Sequence, residues 1–465
     1  MPNPAFLDLS EASRQIQQRS ISPVELTQAC LDRIERLNPE LKAFITVTAG
    51  LALEQARTAE TEIIQGKWRG PLHGIPMAVK DLIETAGVRT TAASAVLKDY
   101  LPAADAPIVQ RLKEAGVVML GKLNLHEFAY GGSSMISHFG IVRNPWNPAH
   151  ITGGSSSGSA AAVAAGLCLA AIGTDTAGSI RLPASCCGIV GLKPSYGLVS
   201  IRGVIPLAWS YDHAGPMTRT VADAALVLQV IADYDAEDIC SQKFPAVHYP
   251  AAMEEEKVSS LRLGVPRDFF WQELDPEVEA ATGKALKLLT GLTAATTDLS
   301  IAVSTDRAVF ACEPFVYHQK YLAQQAGDYH PETLRRIRTG ADVTAIQYVE
   351  GQRELLRLRR GVLRVFADID VLITPTSPLL PPTIAELEAA PEKLRPTEMT
   401  MLRNTRPFSV FGLPTISVPC GFSKSGLPIG LQISGAPGSE ATVLALAKAY
   451  EANTNWHKQR PALST

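Results

Sequence analysis

Neither an excess of one charge nor a long apolar run marks this sequence. Its 43 basic and 46 acidic residues leave a net charge of −3, and such a balance does not indicate binding to nucleic acid or to an anionic membrane. The longest apolar stretch, residues 160–171, is too short to cross a bilayer. The N-terminus also lacks a basic segment followed by an apolar one. We therefore expect a cytoplasmic protein with neither nucleic acid nor a membrane as partner.

Cysteine pairs with metal-binding spacing are missing as well. The seven cysteines are odd in number and scattered, and the adjacent Cys186 and Cys187 do not form a C-x-x-C pair. This pattern predicts buried free thiols in a reducing compartment. No low-complexity linker and no internal repeat divides the 465 residues. We therefore predict one domain, although the length alone suggests two or three.

Short strands alternate with helices from residue 70 onward. Residues 75–80 are an apolar run and are predicted to be a buried strand, whereas residues 160–171 are predicted to be helical. Residues 235–260 are predicted to be a loop and residues 379–394 a proline-rich connector. The alternation predicts an α/β fold, a single large domain with a central mixed, mostly parallel sheet that is covered by helices on both faces.

Residues 152–194 carry the densest pattern of small residues. Two loops of glycine and serine, residues 152–159 and 176–179, flank the small-residue helix. Glycine allows backbone N–H groups to crowd around a ligand, and the N-terminus of the helix points back at the first loop. The second loop is able to aim several N–H groups at one oxygen, which is what an oxyanion hole requires.

Other interpretations of the glycine-rich segments are weaker. Residues 154–158 fit the nucleophile elbow G-x-S-x-G with Ser156 as nucleophile, but the preceding Asn-Pro-Trp-Asn-Pro of residues 144–148 is unsuited to a central strand. Residues 116–122 nearly fit a phosphate-binding loop, but Leu123 supplies no hydroxyl and the residues between the glycines are apolar. A flexible linker is disfavoured by the Ala/Gly helix that follows.

A serine nucleophile needs a base, and the residues alone leave its identity open. No Asp–His pair follows Ser179 at a recognisable spacing, and His213 is explained at least as well by a structural role. Lys80 ends the apolar strand, where desolvation would lower the pKa of its ammonium toward the range of a useful base. A lysine at the end of a strand is, however, more often a solvated surface charge.

The order of the motifs resembles that of the amidase signature family over nearly the whole chain. The matching segments are residues 71–81, 121–122, 127–128, 144–146, 153–156, 158–159, 173–176, 178–181, 183, 187–188, 191–194, 412–421 and 426–432. Two positions depart from the pattern, since Ser157 and Ala177 each replace a usual glycine. Alanine keeps the N–H group, and we expect ordinary backbone angles at Ala177.

The resemblance implies a Ser–cis-Ser–Lys triad. In it, Ser179 is the nucleophile, Ser155 is the bridging serine after a cis Gly154–Ser155 bond, and Lys80 is the base. Further oxyanion and substrate-binding residues that it implies are Thr176, Ala177, Gly178, Tyr130, Gly131, Gly132 and Ser133. Asp175 and Arg181 are expected to be structural and paired with each other or with backbone. Neither a metal nor a cofactor is implied.

The resemblance also implies the function and the division of the chain. We predict an amidohydrolase that cleaves the C–N bond of a small-molecule, non-peptide amide or carbamate through a serine acyl-enzyme. The alternative is the A subunit of a tRNA-dependent amidotransferase, which shares the triad but passes ammonia to a partner. Leu82-Ile83 and residues 403–408 resemble free-standing amidases more. A homodimer is left open.

Within one amidase signature domain, residues 1–465, four parts are expected. They are N-terminal helices (1–66), a catalytic core (67–220), variable substrate-lining segments (235–405), and C-terminal core strands with a helix (406–465).

Overall fold

An eleven-stranded mixed sheet forms the centre of the protein, for which a computed structural model describes residues 3–463. Its strands are β1 (Phe44–Val47), β2 (Pro76–Lys80), β3 (Val118–Leu123), β4 (Ala170–Asp175), β5 (Val190–Lys193), β6 (His213–Thr218), β7 (Arg262–Pro266), β8 (Ala295–Leu299), β9 (Val371–Pro375), β10 (Thr415–Phe422) and β11 (Pro428–Gly435). Their order in the sheet is β1-β3-β2-β4-β6-β5-β10-β11-β9-β7-β8.

Helices flank this sheet. They are α1 (Leu9–Gln17), α2 (Pro23–Leu41), α3 (Ala49–Ile64), α4 (Pro107–Glu114), α5 (Ser157–Ala164), α6 (Arg181–Cys187), α7 (Val221–Ile231), α8 (Tyr249–Glu255), α9 (Arg267–Phe270), α10 (Pro276–Leu292), α11 (Ala308–Gln325), α12 (Pro331–Arg338), α13 (Ala345–Gly361), α14 (Ile384–Ala389), α15 (Pro391–Met401), α16 (Arg406–Phe411) and α17 (Glu440–Ala452). Helix α2 illustrates how a local sequence signal starts a helix. Ser22 is its N-cap, Pro23 is its first residue, and Glu25 completes a reciprocal capping box with Ser22.

The predicted fold class, a single large α/β domain with a mixed central sheet, is confirmed. The expectation of a mostly parallel sheet is wrong in detail, because residues 3–463 form four parallel and six antiparallel strand pairs. Strands β10 and β11 are joined by a short turn, which forces an antiparallel pair. Strand β2 lies between β3 and β4 and pairs in parallel with both.

Three segments differ from the sequence-based expectation. The run of residues 160–171 is divided, because α5 ends at Ala164 and Gly166 takes a positive φ of 66° before β4 begins. The alanines of β4 form a strand since they lie between β2 and β6, and such context overrides propensity. The expected connector at 379–394 contains α14 and the start of α15, and the expected loop at 235–260 contains α8.

The larger of two apolar clusters among residues 3–463 joins the two ends of the described chain, and the smaller one includes Ile151 and Met401. The buried side chains of the larger cluster run from Ala5 near the N-terminus to Tyr450 on α17. The expected N-terminal helical part also contributes a strand, since β1 pairs with β3. Within residues 3–463, every helix is too short or too polar to cross a membrane.

Candidate active site

The side chain of Lys80 lies at the end of β2 and is fully buried. Its Nζ donates hydrogen bonds to Ser155 Oγ at 2.7 Å and to Thr174 Oγ1 at 2.8 Å. Strand β4 brings Thr174 to this position because it pairs in parallel with β2. The ammonium is therefore surrounded by hydroxyl groups, with no carboxylate within 4.0 Å among residues 3–463.

Burial changes the acid–base behaviour of this lysine. Desolvation lowers the pKa of Lys80 to about 7, although the charges of Asp175 and Asp212 act to raise it. Near neutral pH, Lys80 is therefore a neutral amine in a large fraction of the molecules. A neutral amine is able to accept a proton from a hydroxyl.

The loop before α5 positions Ser155 against Lys80. The peptide bond between Gly154 and Ser155 is cis, as expected. Gly158 allows the start of the helix to pack closely, because a Cβ there would lie 2.3 Å from the carbonyl oxygen of Ala43.

The hydroxyl of Ser156 is bonded to the backbone of Thr174. It donates to the backbone oxygen of Thr174 at 3.1 Å, and the backbone N–H of Thr174 donates to it at 3.2 Å. The side chain is also fully buried. The nucleophile-elbow interpretation, which requires Ser156 to face a substrate, therefore has no support in the geometry.

Ser179 faces a cleft with an empty volume of about 400 Å³. The residues that line it are Ala129, Tyr130, Gly131, Ala177, Ser179, Leu207, Arg307, Phe310, Arg395, Met399, Leu402 and Arg406. The loops that carry Ser155 and Ser179 are joined by a backbone hydrogen bond. The N–H of Ser156, the residue after Ser155, donates to the backbone oxygen of Ser179 at 3.2 Å. Within residues 3–463 the two hydroxyls themselves form no hydrogen bond in this conformation.

Asp175 and Arg181 fix the loop that carries Ser179. The fully buried guanidinium donates to both carboxylate oxygens, each at 2.9 Å, which confirms the expected pairing. Burial acts to raise the pKa of Asp175, but Arg181 outweighs it and holds that pKa well below its usual range. The carboxylate also accepts from Gly178 N at 2.8 Å. The Gly178 N–H is thus committed to the loop, whereas those of Ala177 and Ser179 form no hydrogen bond within residues 3–463.

Two threonines hold the other side of the loop. The hydroxyl of Thr405 donates to Ala177 O at 2.7 Å, and that of Thr176 donates to Asp212 at 2.5 Å, away from the cleft. Gly178 has a φ of +132°, and a Cβ at this position would lie 2.0 Å from Thr405 Oγ1, so only glycine fits. Ala177 is not among the residues with positive φ, as expected.

The segment that contains Tyr130 and the next three residues is only partly in the cleft. Tyr130 and Gly131 line it. Ser133 Oγ instead donates to Glu398 at 2.7 Å, and a Cβ at Gly132 would meet Leu402 at 3.0 Å. Gly132 and Ser133 therefore support the wall of the cleft from behind.

Several neighbours of the site were not singled out from the sequence. Thr174 lies within a motif that matches the family. The pairing of its strand, β4, with β2 is what places it beside Lys80. Thr405 comes from a distant segment, and no local pattern identifies it. His213 is a structural side chain, because its imidazole is buried at a 3.0 Å hydrogen bond to Asp175 O and burial lowers its pKa well below the usual value.

The fold and this site define the class, an α/β enzyme of the amidase type. A family model described as Amidase matches residues 25–444, and the chain belongs to the amidase signature family.

Relatives of two kinds are similar to the chain from end to end. The A subunit of the glutamyl-tRNA(Gln) amidotransferase of Moorella thermoacetica is 40% identical, with 98% of this chain and 99% of the relative covered. The crystal structure of the corresponding A subunit from Thermotoga maritima is 34% identical with a TM-score of 0.80, covering 100% of this chain and 99% of that one. The structure of 6-aminohexanoate cyclic dimer hydrolase is 30% identical with a TM-score of 0.90, covering 98% and 99%.

These relatives correct the expectation about partners. The prediction that nucleic acid is not a partner is wrong, because chains 40% identical over 98% of this one are subunits of a glutamyl-tRNA(Gln) amidotransferase. The physical reason is that net charge is a sum over one chain. It excludes neither a local basic surface nor contacts that another subunit supplies.

Proposed function

We propose that the protein cleaves the C–N bond of an amide through an acyl-enzyme on Ser179, with Ser155 and Lys80 transferring protons. The observation that carries this proposal is the 2.7 Å contact between Lys80 Nζ and Ser155 Oγ, formed inside the protein next to the cleft that holds Ser179. A fully buried lysine with two hydroxyl partners and a lowered pKa is suited to act as a base.

The proposed reaction uses one proton relay in both directions. Neutral Lys80 takes the proton of Ser155 as Ser155 takes that of Ser179, and Ser179 Oγ bonds to the amide carbon. The free N–H groups of Ala177 and Ser179 stabilise the resulting oxyanion. The relay then protonates the amide nitrogen, the C–N bond breaks, and the amine or ammonia leaves. A water molecule, deprotonated by the same relay, attacks the ester and releases the acid.

One adjustment is needed before the first step. Since the hydroxyls of Ser179 and Ser155 form no hydrogen bond in the described conformation, a rotation of the Ser179 side chain must bring them into contact. Catalytic hydrogen bonds often tighten only when substrate is bound. A fluorophosphonate reagent tests the proposal, because it should label the wild-type protein once, on Ser179. Labelling on another residue would contradict it.

For the role of this chemistry, we propose the A subunit of a tRNA-dependent amidotransferase. End-to-end identity of 40% to several such subunits supports this role. In it, the ammonia that leaves the acyl-enzyme is passed to a partner. Ammonia release from L-glutamine should then rise when the remaining subunits of a bacterial amidotransferase, glutamyl-tRNA(Gln) and ATP are added, and glutaminyl-tRNA(Gln) should form once ATP activates the carboxylate that the ammonia attacks.

A free-standing amidohydrolase is the second candidate. The structural similarity to 6-aminohexanoate cyclic dimer hydrolase, with a TM-score of 0.90, favours it. The two candidates predict opposite effects of the added subunits on amide hydrolysis. Turnover of small amides by the purified chain alone, without stimulation by the added subunits, would support the free-standing enzyme and contradict the subunit role.

A further inference from the structure

Three guanidinium groups line the cleft that holds Ser179. Arg307 immediately precedes α11, Arg395 lies on α15, and Arg406 is the first residue of α16. The three residues come from separate segments of the chain, so the fold concentrates positive charge at one place. The chemistry proposed above needs only hydroxyls, an amine and N–H groups, and it leaves these arginines without a role.

Most of this positive charge has no matching negative charge. The Arg395 guanidinium lies 3.2 Å from Glu398 Oε2, but the same carboxylate lies 2.8 Å from Arg336. Arg307 contacts Met399 Sδ at 3.0 Å and stacks 5.0 Å from the centre of the Phe310 ring. It has no carboxylate within 4.0 Å among residues 3–463.

Arg406 is in a similar position. Its Nη2 donates to the backbone oxygen of Asp306 at 2.6 Å, and among residues 3–463 no carboxylate lies within 4.0 Å of it either. The carboxylate of Asp306 is partly engaged by the backbone, since it accepts from Ala308 N at 2.8 Å.

The arginines also repel one another. Burial first, and then the charges of Arg395 and Arg406, lower the pKa of Arg307 to about 10. The guanidinium stays protonated at neutral pH. Holding like charges together in a half-buried cleft is unfavourable, and an anionic group bound between them would relieve that repulsion.

The remaining wall of the cleft is apolar. Tyr130, Phe310, Leu207 and Leu402 are all at most 7% exposed and face the same space. A ligand that fits both surfaces has a short aliphatic part and a negatively charged end. We infer that the amide substrate carries a carboxylate, which Arg307 and Arg406 bind beside the apolar wall. This inference rests on the proposed hydrolysis at Ser179.

Two substrates of the same carbon-chain length test the inference. Glutaramate and pentanamide both release ammonia, but only glutaramate carries a carboxylate. The wild-type kcat/KM should be at least about 100-fold higher for glutaramate, because a site built for a polar group rejects the analogue that lacks it. The KM for glutaramate should also rise with salt, and that for pentanamide should not. Equal kcat/KM values would overturn the inference.

Variants assign the preference to the cleft. Arg307→Gln and Arg406→Gln should each lower the ratio of the two kcat/KM values by at least about 10-fold. Arg357→Gln is the matched control, since Arg357 is an exposed arginine paired with Glu354 on α13. It should keep the wild-type ratio. Ratios that stay at the wild-type value in both cleft variants would also overturn the inference.

A measurement without turnover separates this inference from the proposed reaction. Glutarate should protect Ser179 from fluorophosphonate labelling at lower concentration than pentan-1-ol, which has the same chain length and carries no carboxylate. Absence of labelling would contradict the proposed reaction, whereas labelling with equal protection by both compounds would contradict only the carboxylate site. Calorimetric binding of glutarate and pentan-1-ol to the wild-type chain gives the charge preference even when no label is incorporated.

Discussion

Two buried lysines on neighbouring strands differ in their partners rather than in their burial. Lys80 on β2 contacts the hydroxyls of Ser155 and Thr174. Lys122 on β3 lies 3.8 Å from Asp81 and donates to backbone and threonine oxygens around it. Both side chains are fully buried, and desolvation lowers the pKa of Lys80 to about 7 and that of Lys122 to about 8.

A lowered pKa alone therefore does not distinguish the proposed base, Lys80, from Lys122. The two pKa values are close, so the groups that each amine contacts must distinguish them. Lys122 is enclosed by a carboxylate, a backbone oxygen and threonine hydroxyls. Lys80 contacts the hydroxyl of Ser155. The next residue, Ser156, donates its backbone N–H to the backbone oxygen of Ser179, so Ser155 lies close to the proposed nucleophile. The predictions below test this difference, from the largest expected effect to the smallest.

Loss of the nucleophile should have the largest effect. Ser179→Ala should lower kcat by about 10⁵-fold or more, because the covalent bond to the acyl group cannot form. Intact-mass measurement after fluorophosphonate treatment should show one label on the wild type and none on this variant. Ser156→Ala is the control and should still be labelled. Loss of labelling in Ser156→Ala alone would restore the nucleophile-elbow interpretation.

Replacing each lysine by methionine should separate catalysis from stability. Lys80→Met keeps the apolar stem and should lower kcat/KM by about 10²–10⁴-fold, since it removes the base, with little loss of stability. Lys122→Met leaves Asp81 buried without its partner and should cost roughly 3 kcal/mol in the free energy of unfolding. Activity assays and urea denaturation of both variants measure the two effects. A Lys80→Met enzyme as fast as wild type would exclude the lysine as base.

The pH profile should report Lys80 and not Lys122. Below its pKa of about 7 Lys80 is an ammonium and unable to accept a proton, so kcat/KM should rise with pH and level off above this value. The midpoint should be unchanged in Lys122→Met. A rate that falls as pH rises through 7, or a midpoint near that of free lysine at about 10.4, would contradict the assignment.

The strand that carries Lys80 is predictable from the sequence, although the residues alone favoured a surface position for the lysine. Residues 75–80 form an apolar run with a lysine at its end, and β2 ends at that lysine. The glycine–serine loops are also local patterns, and the expected cis bond and the pairing of Asp175 with Arg181 are both present. The glycine–serine loops are predictable because neighbours in the sequence produce them, whereas the cis bond was expected only from the resemblance to the amidase signature family.

Features that depend on distant segments were not predicted. Thr405 reaches Ala177 across 228 positions of the chain, and Arg307, Arg395 and Arg406 meet only after three helices have packed. The alanine-rich start of β4 was predicted to be helical, because only its position between two strands makes it extended. Helix α14 was missed although Thr383 and Glu386 form a capping box, because the surrounding prolines indicated a loop.

The smallest expected effect concerns the hydroxyl of Ser157, which lies two residues from Ser155 and makes no hydrogen bond within the described residues. Ser157 is fully buried at the start of α5, and within residues 3–463 its Oγ has no hydrogen-bond partner. Ser157→Ala should therefore raise the free energy of unfolding by up to about 1 kcal/mol, since an unsatisfied polar group is removed and the Cβ stays. Ser157→Gly restores the usual family residue but should be about 0.5–1 kcal/mol less stable than the alanine variant.

Both Ser157 variants should keep kcat/KM within about twofold of wild type, because Lys80 bonds to Ser155 and not to Ser157. Urea denaturation and steady-state kinetics of the two variants measure these effects. A tenfold loss of rate in Ser157→Ala would place this hydroxyl in the relay. It would also show that a hydrogen bond to Lys80 is not what distinguishes the catalytic Ser155 from Ser157.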